Sequence, residues 1–131
     1  MSTRYKKSLR TLNSGVVIVA GSFAPNGSSA ISASSRLGRG FSVARTSAGL
    51  FTITFSDKYN QLLSFVSSLQ EATAGDQVLV NGVYTAASKT ITITNWDISD
   101  AAAADIAANA NNRIHFVAVF QDSAVTPSYG T

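Results

Sequence analysis

Two short segments constrain this chain more than anything else in it. In Leu50-Phe51-Thr52-Ile53-Thr54-Phe55 and again in Thr90-Ile91-Thr92-Ile93-Thr94, large apolar residues alternate strictly with threonine. A period of two matches the pleat of a β-strand, where successive side chains point to opposite faces, and it fits no helix. Each segment therefore predicts a strand with one apolar face and one hydroxyl face. The chain must supply a second layer to cover the apolar side.

The remaining segments extend this pattern. Phe41-Ser42-Val43-Ala44-Arg45 precedes Leu50 across Thr46-Ser47-Ala48-Gly49, which predicts a hairpin with its turn at Ser47-Ala48-Gly49. Gly15-Val16-Val17-Ile18-Val19-Ala20 is a short β-branched run, the signature of a strand covered on both faces. Ile114 to Phe120 is apolar at nearly every position and reads as a central strand, covered by the core on one face and by a neighbouring subunit or sheet on the other. Val78-Leu79-Val80 before Asn81-Gly82 adds another strand. Residues 62–69 fit both periods and are read as strand. Residues 21–40, rich in Ser, Ala and Gly, predict a long loop with one weak strand and a contact role. Ala101-Ala102-Ala103-Ala104-Asp105-Ile106 and the residues to Ala110 have helix-forming composition, and Ser99 or Asp100 would cap a turn or two of helix there.

Roughly six to eight short strands with little helix predict an all-β class, a β-sandwich or jelly-roll-like barrel with an extended N-terminal arm. The domain is expected over residues 15–123, after an arm at 1–14 and before a flexible tail at 124–131. With 131 residues the chain is long enough for one core. Cysteine is absent, so disulfides and thiolate metal sites contribute nothing to it. No apolar run approaches the ~20 residues of a membrane-spanning helix. The run Val16 to Ala20 is also too short for the core of a secretory signal, so neither a cleaved leader nor a membrane partner is expected.

Charge is sparse, at 13% of residues, and unevenly placed. Residues 1–56 hold seven of the ten basic residues, Arg4, Lys6, Lys7, Arg10, Arg36, Arg39 and Arg45, and none of the seven acidic ones. The N-terminal part is therefore expected to meet an acidic surface, or the two halves of neighbouring copies to meet each other. The candidate partner-binding residues are Arg4, Tyr5, Lys6, Lys7 and Arg10 of the arm, with Arg36 and Arg39 of the loop. The arm could also neutralise a nucleic acid backbone, but no helix-turn-helix, zinc or RNA-binding motif accompanies it, and no specific nucleic-acid partner is expected.

Catalytic chemistry finds little support. His115, the single histidine, lies between Ile114 and Phe116 with no acid near it in sequence, and is read as structural. Arg36-Leu37-Gly38-Arg39-Gly40 offers glycines and guanidiniums to an anion but lacks the Lys-Ser/Thr and following helix of a phosphate loop. Asp97, Asp100 and Asp105, followed by Asn109, Asn111 and Asn112, match no calcium loop and read as caps and turns. Trp96, Phe51, Phe55, Phe116 and Phe120 are expected in the core, while Tyr59, Tyr84 and Tyr129 are better placed for a ligand surface. No enzyme activity, metal or cofactor is expected.

The basic arm, the segment from Gly40 to Phe55 and the closing Asn112-Arg113-Ile114-His115-Phe116-Val117-Ala118-Val119-Phe120 together resemble the capsid decoration, or cement, proteins of tailed bacteriophages. The resemblance covers most of residues 1–123 and lies in strand pattern and composition. It implies a homotrimer, made in the host cytoplasm and bound to the outer surface of the virion capsid. There its arm would bridge neighbouring capsomers of the major capsid protein against the pressure of packaged DNA. A receptor- or glycan-binding module of a tail fibre or spike is the competing expectation. Such a module would stand beside a shaft or coiled coil, and the sequence shows no heptad run.

Overall fold

A computed structural model of the chain describes residues 15–121. The arm at 1–14, residues 122–123 of the expected domain and the tail at 124–131 lie outside the described residues. The described residues form an all-β domain of two antiparallel sheets. The strands are β1 (Val16–Phe23), β2 (Leu37–Gly38), β3 (Phe41–Ser47), β4 (Leu50–Phe55), β5 (Gln61–Gln70), β6 (Gln77–Asn81), β7 (Thr90–Asp97), β8 (Ala102–Ala103) and β9 (Arg113–Gln121). The first sheet runs β2-β1-β9-β5; the second runs β3-β4-β7-β6, with β8 added against β7.

The alternating segments sit where their period requires. Phe51, Ile53 and Phe55 of β4 and Ile91 and Ile93 of β7 point inward and are essentially buried. They meet Ile114, Phe116, Ala118 and Phe120 of β9 and Val19 and Phe23 of β1 in one shared core. Ring contacts cross between the sheets: Phe23 to Phe51 at 5.5 Å, Phe41 to Phe116 at 4.7 Å and Phe55 to Phe120 at 4.8 Å. Fully burying each such side chain stabilises the fold by roughly 1.5–3 kcal/mol. Phe41 lies so close over Gly21 that any side chain there would collide with its ring.

The hairpin of β3 and β4 pairs Phe41 with Phe55 at one end and Ser47 with Leu50 at the other, with a bulge between Arg45 and Ser47. Gly49 makes its turn possible in two ways. Its φ of 69° favours glycine, and a Cβ would come within 2.6 Å of the Ala104 backbone. On the opposite side the two sheets approach through β5 and β6, where the Ser67 hydroxyl donates to Asn81 Oδ1. No backbone ladder joins these two strands among the described residues.

Several sequence expectations change here. Residues 62–69 are strand, within a ten-residue β5 that bulges between Leu62 and Ser64. The loop expected at 21–40 is shorter, because β1 continues to Phe23 and Leu37-Gly38 pair with Ser22-Gly21. Residues 101–110 contain no α-helix. Ala101 takes a φ of 51°, Ala102–Ala103 form β8, and Ile106 enters the core at 1% exposure. Tertiary bonds override the alanines' helix propensity. Asn95 Nδ2 donates to Ala104 O at 2.8 Å, Ala104 N donates to Asn95 O at 3.0 Å, and Gly27 N donates to Ile106 O at 2.9 Å. Finally, among the described residues β1 and β9 are covered on one face only. β9 is central, as expected, yet Val117 on its outer side is 43% exposed, and Ile18 of β1 is 45% exposed.

Candidate functional site

The outer face of the first sheet follows from strand register. Ala20, Val117 and Val66 form one cross-strand row, and Ile18, Val119 and Ser64 form the next. Ile18, Val66 and Val117 stand open to solvent, and neither row contains a charged residue. Beyond them Ser22, His115 and Ser68 make a polar row, where His115 Nε2 lies 2.9 Å from Gln70 Oε1. The histidine thus faces outward with an amide partner, and no carboxylate orients it.

The outer face of the second sheet is built differently. Thr52 pairs with Thr92 and Thr54 with Thr90 across β4 and β7, giving a hydroxyl surface. That surface turns apolar toward the β6–β8 corner. Val78 pairs with Trp96, Trp96 with Ala103, and Val80 with Thr94. Trp96, expected in the core, is 39% exposed, because the strand parity that buries Ile91 and Ile93 turns Asn95 inward and Trp96 out. Asn95 is fully buried with its Oδ1 unpartnered.

Four acidic residues lie on the turns at this end of β6 and β7, where strand parity turns Asp97 and Gln77 to the face opposite Val78 and Trp96. Ile98 N donates to Asp76 O at 3.0 Å, and Gln77 pairs with Asp97, so the turns at 71–76 and 97–100 lie side by side. Glu71, Asp76, Asp97 and Asp100 stand on them. The Gln77 amide lies 3.1 Å from the Glu71 carboxylate. Asp97 Oδ1 accepts from the Ser99 hydroxyl at 2.8 Å and from the Ser99 and Asp100 amides. The hydroxyl bond, aided by those amides, holds the Asp97 carboxyl below its usual range. Among the described residues the one ion pair is Arg45 with Asp105, which involves none of these four acids.

Asp105 takes two bonds from Arg45, at 2.9 and 2.8 Å, and one from Gly49 N at 2.9 Å. The guanidinium bonds, with the Gly49 amide, lower its pKa. Asn109 Oδ1 caps Asn111 N, and Asn112 bonds Ala72 N and Ala107 O. Asp97, Asp105, Asn109 and Asn112 therefore work as caps and anchors. Among the described residues no group of three His, Asp or Glu side chains gathers to hold a metal.

Arg4, Tyr5, Lys6, Lys7 and Arg10 lie outside the described residues, as does Tyr129. The arm joins the domain at the start of β1, where Val16 pairs with Gln121. Arg36 sits at the other end of that strand, beside β2, with its guanidinium 5.6 Å over the Phe41 ring; Arg39 is exposed nearby. The root of the arm and the basic loop are thus separated by the length of β1 and not brought together. Leu37 and Gly38 form an edge strand, and β3 follows them. The nearby Arg113 donates to Ser22 Oγ and to Ser35 O, tying the loop down.

The tyrosines reverse their expected place. Tyr59 is 6% exposed and stacks on Phe120 at 4.4 Å, while the Tyr84 hydroxyl donates to Tyr59 O and accepts from Tyr59 N. An open cleft between the start of β5 and residues 82–86 is lined by Leu62, Val83 and Tyr84 and gathers no acid, base or thiol around that phenol. The sequence reading missed Ile18, Val66 and Val117 as surface residues because a continuous apolar run does not show which face is outward. It missed the acidic corner because its four acids lie on two turns some 25 residues apart in the chain, brought together by the β6–β7 pairing. No known protein family, curated protein or solved structure matches the chain.

Proposed function

We propose that this chain is a structural virion protein that binds the outer surface of a tailed-phage capsid and stabilises the shell by bridging neighbouring capsomers. The observation that carries this reading is the uncharged apolar face of the first sheet, with Ile18, Val66 and Val117 exposed across three adjacent strands. A contiguous apolar face of this kind marks an interaction surface. The resemblance of the arm, the Gly40 to Phe55 segment and the last strand to cement proteins supplies the partner, the major capsid protein.

On this reading the two sheets are the layers of a β-sandwich, presented as a homotrimer, and the protein works by adhesion with no reaction, metal or cofactor. The outer face of the first sheet lies on the shell, the exposed Arg36 and Arg39 add contacts to acidic groups, and residues 1–14 bridge to neighbours. Repetition over a symmetric shell multiplies weak contacts, so each copy needs little affinity of its own.

Immunogold electron microscopy of particles carrying the protein tests the assignment: label is expected over the shell. Label confined to tail tips would overturn it in favour of a receptor- or glycan-binding module. Deleting residues 1–12 is expected to abolish attachment in a capsid pelleting assay while the domain keeps its β-type circular dichroism. Undiminished attachment would remove the arm from the binding role.

A further inference from the structure

We infer that the open edge of β1 is the docking site of this chain's own residues 8–12, which double back over a turn at Asn13-Ser14-Gly15 and add a strand to the first sheet. The inference stands without any capsid. Its ground is a stretch of strand left unfinished. β1 pairs with β9 along its whole length, from Val16 with Gln121 to Phe23 with Ile114. On its other side β2 takes only Gly21 and Ser22. Among the described residues no strand pairs with the outer edge of Val16 to Ala20.

Antiparallel pairing directs alternate backbone groups to either side, so about half of the N–H and C=O groups of Val16 to Ala20 point at that edge. The edges at β3 and β5 are blunted. β3 carries Arg45 and a bulge, while β5 has its own bulge and accepts from Asn81 Nδ2 at Phe65 O, 3.5 Å away. Val16 to Ala20 hold no charge, proline or bulge. The core is also thin there. Val17 lies across from the fully buried Phe120 on the inward face, yet it is only half-buried itself.

The preceding residues match this edge. Gly15 lies in a turn with a φ of 75°, the left-handed region that glycine enters freely. A three-residue hairpin loop is commonly a type I turn closed by a residue in that region, and Asn13-Ser14-Gly15 has turn formers in its first two places and glycine in its third. Such a loop sets the register: Leu12 meets Val16, Thr11 meets Val17, Arg10 meets Ile18, Leu9 meets Val19 and Ser8 meets Ala20. Lys7 would meet Gly21, where Gly38 already stands, so the ladder ends where β2 begins. The open edge and the added strand thus have the same length.

Strand parity suits the side chains. Val17 and Val19 face inward, so Leu9 extends the row of Val19, Ala118 and Phe65. Ile18 faces outward, so Arg10 stands at the rim of the apolar outer face, its stem against Ile18 and its charge on the new edge. Lys7 leaves the sheet beside Gly38, which carries the remaining cations of the arm to the end of β1 where Arg36 and Arg39 stand.

The chain has no cysteine, so an engineered pair in the full-length protein reports on one contact. Arg10→Cys with Ile18→Cys places two thiols on directly opposite residues, whose Cβ atoms lie about 4.5–5.5 Å apart in such a ladder. Mild oxidation of the dilute protein is expected to give an intramolecular disulfide, read by mass and by monomer mobility on a non-reducing gel. Arg10→Cys with Val66→Cys, on the same outer face but beyond β1 and β9, should stay reduced. In a second variant, Leu9→Pro with Thr11→Pro keeps residues 8–12 out of the ladder. The edge-facing amides of Val16 to Ala20 should then exchange hydrogen at least tenfold faster, while those of Phe116 to Phe120 are unchanged. Four outcomes would overturn the inference: no disulfide in the Arg10–Ile18 pair, equal cross-linking in the Arg10–Val66 pair, disulfide-linked dimers, which would assign the edge to a second copy's arm, or exchange indifferent to the prolines.

Discussion

The outer faces of the two sheets make an instructive pair. Both belong to strands whose inner residues fill the same core, and both are read from the same period of two. Over most of β4 and β7 the outward residues are Thr52, Thr54, Thr90, Thr92 and Thr94, which water can satisfy, with Leu50 and Trp96 only at one end. On β1 and β9 they are Ile18, Ala20, Val117 and Val119, which it cannot. Threonine keeps the β-branched shape that suits a strand and exchanges one methyl for a hydroxyl. The fold gains similar local preference from both faces, but among the described residues only the threonine face is one that water satisfies. On the proposed function, the difference separates the requirements of folding from those of assembly within one domain.

That contrast can be broken most forcefully at the core. Phe51→Ala on the second sheet and Phe116→Ala on the first should each cost about 3–5 kcal/mol in urea denaturation, because both rings fill one shared interior. A small loss at either position would mean that the two sheets do not depend equally on it. A smaller loss is expected at Asn95, a buried polar residue on the inner face of the second sheet. Asn95→Ala removes the bond to Ala104 O and should cost about 1–3 kcal/mol. It should also raise hydrogen exchange at Ala104, while exchange in β9 stays slow.

The outer faces themselves are compared by matched substitutions. If the proposed function holds, Val117→Lys weakens capsid attachment at least tenfold, about 1.4 kcal/mol, with little change in unfolding midpoint, and Thr92→Lys leaves attachment intact. Equal effects from the two would erase the distinction between the faces. The mildest effect is expected from acid. Asp105 is depressed by Arg45 and Gly49, so its contribution to stability is fully present above the ordinary carboxylate range and is lost as pH falls through its lowered folded value. Asp105→Asn should accordingly flatten the fall in thermal midpoint between about pH 4 and pH 2, measured against the unaltered chain.

Legibility in the sequence followed the strength of the local period. The hairpin Phe41 to Phe55, the strand from Thr90 and the central strand from Ile114 were readable because their side-chain patterns match one backbone geometry. The alanine-rich stretch after Asp100 was not, since its composition favours helix while Asn95 from the preceding strand and the distant Arg45 and Gly27 hold its backbone and Asp105 in place. Trp96 was misplaced through its size, although the parity running from Ile91 and Ile93 assigns it outward. The basic arm was evident as a cluster of cations. The closeness of Glu71 and Asp76 to Asp97 and Asp100 emerged only when two turns met.

By itself, then, the sequence determined the all-β class, the hairpin and the inward faces of β4 and β7, because strand period and β-branching act between neighbours a few residues apart. The tertiary structure decided which apolar residues remain uncovered, where the alanine-rich segment lies and which charges share a corner. Those outcomes depend on the register and order of strands joined through long separations, such as Val16 with Gln121 and Gln77 with Asp97, and no local pattern encodes them.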